Sequence, residues 1–438
     1  MRPAFPKKTS PWFWLLLKLS VVLSLTCIVL FASSPNAMKI IVYDDPSHTR
    51  SSSTTLPTPD SDESDSPHPG HFSTLLANVN NSLLHSVQQQ CTDSQRQTIR
   101  SQLPPQACEE DKGKYGGRRC SFSLATRCSD AIWFAEFWKE AAQRGVNRPT
   151  AIYVGCNKGM DAVNTLRMIS ENPEFDKSVW QKEILSNVLS RNQTIVPGAC
   201  NQENAPQFDI STLQGTARTA SDSTASVFCI EAMPQTANQL NRSSHQLGWQ
   251  NSFVVTNAAI SSTDGVALFP SGQAGQKIGV EHMGLGDCLR QSTKHLCAEV
   301  QQYTLDTYFD KFLRKDSWID FLSIDVEGYD WDVLMSASKA LERVKYLEFE
   351  FHRVGSWQQH SLKSAIDHLD TKGFVCYWAG AHGHIWRITN CWMEYYNRKV
   401  WSNVACVDPW SAPALATRME LMFQETLAAG DQIKYVPK

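Results

Sequence analysis

Residues Asp320–Asp330 read DFLSIDVEGYD, and the fold follows from how that stretch divides. Phe321, Leu322 and Ile324 make an apolar run of strand length, too brief for a buried helix. The chain then turns through Val326, Glu327 and Gly328, and a helix is expected from about Asp330. Asp330 and Asp332 suit that helix start, where the backbone dipole favours negative charge. Strand, turn and helix together are one half of a βαβ unit.

Outward from this stretch the same unit recurs. TAIYV (Thr150–Val154) meets a turn at Gly155 and Gly159. SVFCIE (Ser226–Glu231) is followed by Pro234, which opens a helix. SFVVTN (Ser252–Asn257) follows Gly248, and KYLEFEF (Lys345–Phe351) precedes a helix that ends before Gly373. Beyond that, GFVCYWAG, AHGH and IWRIT read as an antiparallel hairpin closing the sheet, with His382 and His384 in its turn. Apolar runs alternating with helices specify an α/β fold, a doubly wound and mostly parallel sheet covered on both faces. An amphipathic helix from Asp130 to Arg144, capped by Ser129, precedes the sheet. Between the first two strands lies a polar excursion, about 171–224, too long for a compact connection and expected to be a surface elaboration or lid.

In open α/β sheets ligands bind outside the carboxyl ends of the strands. Asp325 and Glu327 end the fourth strand and are expected to face that pocket. Glu231 ends the second strand, the position from which a carboxylate accepts ribose hydroxyls. The loop V-G-C-N-K-G (Val154–Gly159) lets a ligand approach backbone, and the helix after it favours negative charge. It is not the full G-x-G-x-x-G dinucleotide fingerprint. His352 ends the fifth strand, as a base or as a core histidine.

Five segments in order carry a resemblance: G-C-N-K-G, F-C-I-E-A-M-P, T-N-A-A-I-S-S-T-D-G, Y-T-L-D-T-Y and D-F-L-S-I-D-V-E-G-Y-D. Together, over roughly Ala151–Phe351, they resemble the FkbM-type methyltransferases. The resemblance implies a class I methyltransferase fold, S-adenosyl-L-methionine as donor, and O-methylation of a hydroxyl, often on a sugar. It further implies that Gly155, Asn157 and Gly159 line the methionine moiety, that Glu231 binds the ribose, and that Asn257 and Ala258 lie near the adenine. Cys156 stands where the family usually has alanine, a small-for-small exchange. Asp325 is then the leading general base, with Glu327 and His352 in reserve, and no metal is assigned.

The N-terminal run Trp12–Ala32 holds one charge, Lys18, and is long enough to span a bilayer as a helix. Arg2, Lys7 and Lys8 precede it while Asp44 and Asp45 follow, which directs the bulk of the chain to the luminal side. The expected layout is a cytosolic tail (1–11), a signal-anchor (12–32), a luminal stem (33–115) and the methyltransferase domain (116–438). A cleaved signal peptide is the alternative, and either places the domain in the secretory pathway, in the Golgi for an anchored form. Twelve Cys beyond the run and sequons at Asn80, Asn192 and Asn241 suit that compartment. A net charge of −3 provides no field for a nucleic acid partner, and the resemblance implies a glycan or another hydroxylated molecule as the acceptor. Two rival readings are an anchored glycosyltransferase, for which Asp330-Trp331-Asp332 would be the D-x-D, and a binding protein that kept the fold.

Overall fold

A computed structural model describes residues 89–103, 149–189, 225–271, 296–315 and 317–430, with isolated positions between them. These fall in one compact unit, His68–Lys438. The apolar run Trp12–Ala32, most of the expected stem, and the sequons at Asn80 and Asn192 lie outside the described residues. Among the described residues, no helix is long and apolar enough to cross a membrane.

Five strands carry the expected parallel half: β1 (Thr150–Val154), β2 (Ser226–Glu231), β3 (Phe253–Asn257), β7 (Phe321–Ile324) and β8 (Tyr346–Phe351). Between β3 and β7 the chain forms β4 (Ala259–Ile260), β5 (Gly265–Pro270) and β6 (Cys297–Tyr303). After β8 come β9 (Val375–Ala379), β10 (Ile385–Arg387) and β11 (Ser402–Val407). The main sheet has eight strands in the order β10-β9-β11-β8-β7-β1-β2-β3, and β4, β6 and β5 make a separate three-stranded sheet. The helices are α1 (Asp93–Gln102), α2 (Met160–Ser170), α3 (Lys177–Leu189), α4 (Pro234–Gln246), α5 (Leu305–Phe312), α6 (Asp330–Met335), α7 (Leu362–Thr371) and α8 (Pro413–Ala428).

The parallel half matches the reading of the apolar runs. Every residue of β1 is buried, as expected of a central strand covered on both faces. The hairpin β9–β10 forms, yet it does not close the sheet against the fifth strand. Instead β11 inserts between β8 and β9, antiparallel to both, and the Cys376–Cys406 disulfide joins a directly opposed pair. The reason is burial: five of the six residues of β11 are buried, and only a position flanked on both edges satisfies their backbone groups.

Two other expectations change. The polar excursion does not begin as surface, because Trp180 of α3 is fully buried, 5.8 Å from Trp249 and 4.7 Å from Phe253 in ring centroids. The remainder of the excursion lies outside the described residues apart from Thr194 and Ile195. The compact unit also reaches back before residue 116. Ile99 and Leu103 are fully buried, Gln102 donates to the Thr426 carbonyl at 2.6 Å, and Cys91 is bonded to Cys391. Of the helix expected after Ser129, Trp133, Phe134, Ala135 and Trp138 are described and helical. Trp133 donates its indole N–H to the Tyr346 hydroxyl at 2.7 Å, and Phe134 stacks on the Tyr346 ring.

Candidate active site

Strand register builds the site. Val154 pairs with Ile230 on one side and with Ile324 on the other. The three strands therefore end level, and Gly155, Glu231 and Asp325 share one rim. The chain leaves β1 toward β2 and β3, then returns to the opposite side of β1 for β7 and β8. Right-handed crossovers send the helices of the two halves to opposite faces and open a crevice between them. A cleft lies there, walled by the three strand ends and the residues that follow them.

Backbone geometry at the rim is tightly specified. Gly155 has φ +87°, and a Cβ on it would lie 1.7 Å from the Asp325 carbonyl oxygen. Glycine is thus required by the neighbouring strand end before any ligand is considered. The Gly155 and Cys156 N–H groups both donate to the Ile230 carbonyl, at 3.0 and 3.1 Å. Asn157 follows with φ +49°, a left-handed conformation that asparagine accepts more readily than most residues. Its N–H donates to Glu231 Oε2 at 2.8 Å, while the Met233 N–H donates to Oε1 at 2.8 Å. One buried carboxylate is thereby fixed at both oxygens, each of which keeps a second lone pair. Burial raises the Glu231 carboxyl to about 7, against the opposing pull of those two N–H donors.

Cys156 is not a bland stand-in for alanine. It is disulfide-bonded to Cys229, two residues before Glu231, so the loop and the acid-bearing strand are covalently joined.

Of the residues singled out from the sequence, Gly155, Asn157, Glu231, Ala258, Asp325 and Glu327 line the cleft. Gly159, Asn257 and His352 do not. Gly159 begins α2 at φ +71°, and a Cβ there would press on Leu240, Phe253 and Trp180 in the core. Asn257 donates its amide to the Glu231 and Ala232 carbonyls, at 2.9 and 3.1 Å, and braces the strand end behind the acid. His352 is buried beside Glu350, its Nε2 4.0 Å from Oε2, off the cleft wall. The sequence reading missed a whole wall: Ile260, Ser261, Phe269 and Gln302, all carried on or beside the three-stranded sheet. Pairing of Ala259 and Gly265 with Gln302, and of Phe269 with Ala298, puts Ala259, Gln302 and Phe269 on one face. The apolar run VALF (Val266–Phe269), bounded by Gly265 and Pro270, was the available signal.

Asp330 is fully buried and accepts N–H groups at both oxygens, from Gly328 at 3.2 Å and Glu350 at 3.3 Å. A D-x-D aspartate that holds a metal and phosphates would need those oxygens turned to the ligand, so Asp330 does not fit that use.

A family model described as a methyltransferase FkbM domain matches residues 198–386. The span takes in Glu231, Ala258, Asp325 and Glu327 and begins after the Gly155–Gly159 loop. No curated protein matches the chain. Among solved structures, one titled a putative rRNA-methylase from Clostridium thermocellum is 9% identical, with a TM-score of 0.27, over 61% of this chain and 94% of that one. A structure titled a SAM dependent methyltransferase from Aquifex aeolicus is 10% identical, with a TM-score of 0.26, over 64% and 94%. A human methyltransferase 10 domain containing protein is 7% identical, with a TM-score of 0.24, over 70% and 94%.

Proposed function

Because this chain carries an FkbM methyltransferase domain that takes its methyl group from S-adenosylmethionine, we propose that it is an O-methyltransferase acting on a hydroxyl of a glycan or similar acceptor in the secretory pathway. The observation that carries the chemistry is the meeting of Glu231, Asp325 and Glu327 in one cleft at the switch of the sheet. The residues present fit the donor. Glu231 offers oriented carboxylate oxygens for ribose hydroxyls, and Met233, Ala258, Ile260 and Phe269 offer an apolar wall for the base.

S-adenosylmethionine, when bound, supplies a methyl group already activated as a sulfonium. The chain's own part is to align the acceptor hydroxyl, exclude water and take its proton. Asp325, half-buried at the rim of β7, is assigned that proton, and Glu327 is assigned to orient the acceptor. A carboxylate aimed only at the sulfonium would favour the ground state, whereas one at the hydroxyl lowers the barrier.

The secretory reading rests on the charge bias around Trp12–Ala32 and on the Cys usage. Among the described residues, eight Cys are paired in four disulfides, a pattern of oxidising compartments. Asn241, in a sequon, is exposed on α4.

Protein from native membranes, incubated with methyl-labelled S-adenosylmethionine and a panel of oligosaccharides and glycopeptides, should transfer label in an alkali-stable ether linkage. Label on protein nitrogen or on RNA, and none on any glycan, would overturn the acceptor assignment. Digestion of the domain by protease added to sealed vesicles would overturn the compartment.

A further inference from the structure

The turn that presents Asp325 and Glu327 is unusual at two positions. Glu327 has φ +54°, a left-handed conformation that is unfavourable for a non-glycine residue. Gly328 follows at φ +97°, where a Cβ would meet the Val354 carbonyl oxygen at 2.5 Å. Gly355 returns the contact, since a Cβ on it would lie 2.4 Å from the Gly328 carbonyl oxygen. Such a conformation persists only where surrounding bonds over-determine it. Asp325 is held at its start, its N–H donating to the Val154 carbonyl at 2.9 Å. The end is held at Gly328, whose carbonyl accepts from Ser356 Oγ at 3.1 Å and whose N–H donates to Asp330 Oδ2.

We propose that Asp330 is a positioning residue: its buried carboxylate, shared between the Gly328 and Glu350 N–H groups, ties the Asp325–Gly328 turn to β8 and keeps Asp325 and Glu327 turned to the cleft. The inference rests on the assignment of those two carboxylates to the acceptor. Only a carboxylate can serve here. Both partners are donors, so asparagine would satisfy one of them and set its own N–H₂ against the other. Neither N–H has water as a substitute, because Asp330 has no exposed surface. The second aspartate of the pair, Asp332, makes no side-chain bond to the turn and serves as the comparison.

Amide hydrogen exchange read by mass spectrometry tests the tie, with S-adenosylhomocysteine calorimetry alongside. In Asp330→Asn, exchange in a peptide covering residues 325–330 should accelerate at least tenfold, while peptides from β1 and β2 keep their wild-type rates. S-adenosylhomocysteine affinity should stay within threefold, because Glu231 lies on another strand. Asp332→Asn should change neither. On an acceptor found with the labelled donor, turnover of Asp330→Asn should fall at least tenfold with the donor KM unchanged. If Asp330→Asn fails to fold, Ser356→Ala removes the side-chain anchor of the Gly328 carbonyl, leaving the Trp357 N–H at 3.4 Å, and should accelerate the same peptide two- to fivefold. Wild-type exchange in that peptide, acceleration spread over the whole sheet, or a loosened turn with full turnover would overturn the proposal. Failure of wild-type protein to bind S-adenosylhomocysteine would instead count against the donor site, and leaves the exchange result to be read by itself.

Discussion

Glu231 is the residue whose surroundings make the sharpest demands. Two backbone N–H groups fix its oxygens, so Glu231→Ala removes an oriented, charged acceptor and leaves both donors without a partner. A hydrogen bond to a charged group is worth about 1.5–3 kcal/mol, so S-adenosylhomocysteine affinity measured by calorimetry at about pH 8, where the Glu231 carboxyl is ionised, should fall about tenfold or more. The same residue should write a pH signature on stability. Burial raises its carboxyl from 4.5 to about 7, so the folded state favours the protonated form. Stability from this group is therefore full below pH 4.5 and is lost as pH rises through about 7. Denaturant titrations at pH 4 and pH 8 should show wild type losing up to about 3 kcal/mol relative to Glu231→Gln. Asp325 is tested by kinetics. A positioned base is worth roughly 10²–10⁴ in rate, so Asp325→Asn should lose turnover in that range, with donor affinity changed less than in Glu231→Ala. Turnover near wild type would remove the base assignment. His352 offers no ready substitute, since it lies buried off the cleft. All three carboxylates were legible because each ends or follows an apolar run. Gly155 was legible for an incomplete reason, because its missing side chain makes room for the Asp325 carbonyl.

At the scale of elements, the joint between β1 and β2 decides how well the donor loop is pre-set. Cys156–Cys229 closes a loop of 73 residues and lies beside the Asn157–Glu231 hydrogen bond. Replacing both Cys by alanine should cost about 2–4 kcal/mol of stability, measured by denaturant unfolding. It should also weaken S-adenosylhomocysteine severalfold, because Asn157 then holds its left-handed backbone without the covalent tie. Unchanged affinity would mean that hydrogen bonds alone set the loop. The strands β1 and β2 were legible to the residue, since one apolar run lies between Pro149 and Gly155 and the other ends shortly before the helix opened by Pro234. The elements that escaped have a different chemistry. CAEVQQY (Cys297–Tyr303) is half polar because one face of its sheet is solvated, and SNVACV (Ser402–Val407) names no neighbour. Where β11 inserts is fixed by pairing Cys406 with Leu347 on one side and Cys376 on the other, partners far apart in sequence, which no local pattern encodes.

For the molecule as a whole, the described structure closes on itself through its two ends. Trp386 donates to Gln102 at 3.0 Å, Arg387 reaches the Gln89 carbonyl at 3.3 Å, and the buried Arg387–Glu420 pair ties β10 to α8. A chain shortened to begin at Gly116 would lack α1 and Cys91, uncovering the surfaces that Ile99 and Leu103 fill. It should be poorly soluble and lack a cooperative melt, whereas one beginning at His85 should melt as the full chain does. That boundary was not legible, because α1 has nearly all its sequence polar and only Ile99, Gln102 and Leu103 turned inward. The Cys91–Cys391 bond also sets a clock. A ribosome adding 5–20 residues each second needs roughly 15–60 s to make the 300 residues between the two thiols. Cys108, Cys120 and Cys128 emerge long before the true partner does. Early oxidation therefore favours wrong pairs that must be reshuffled later, over seconds to hours. The yield of active protein should depend less on how fast thiols are oxidised than on how readily they are exchanged.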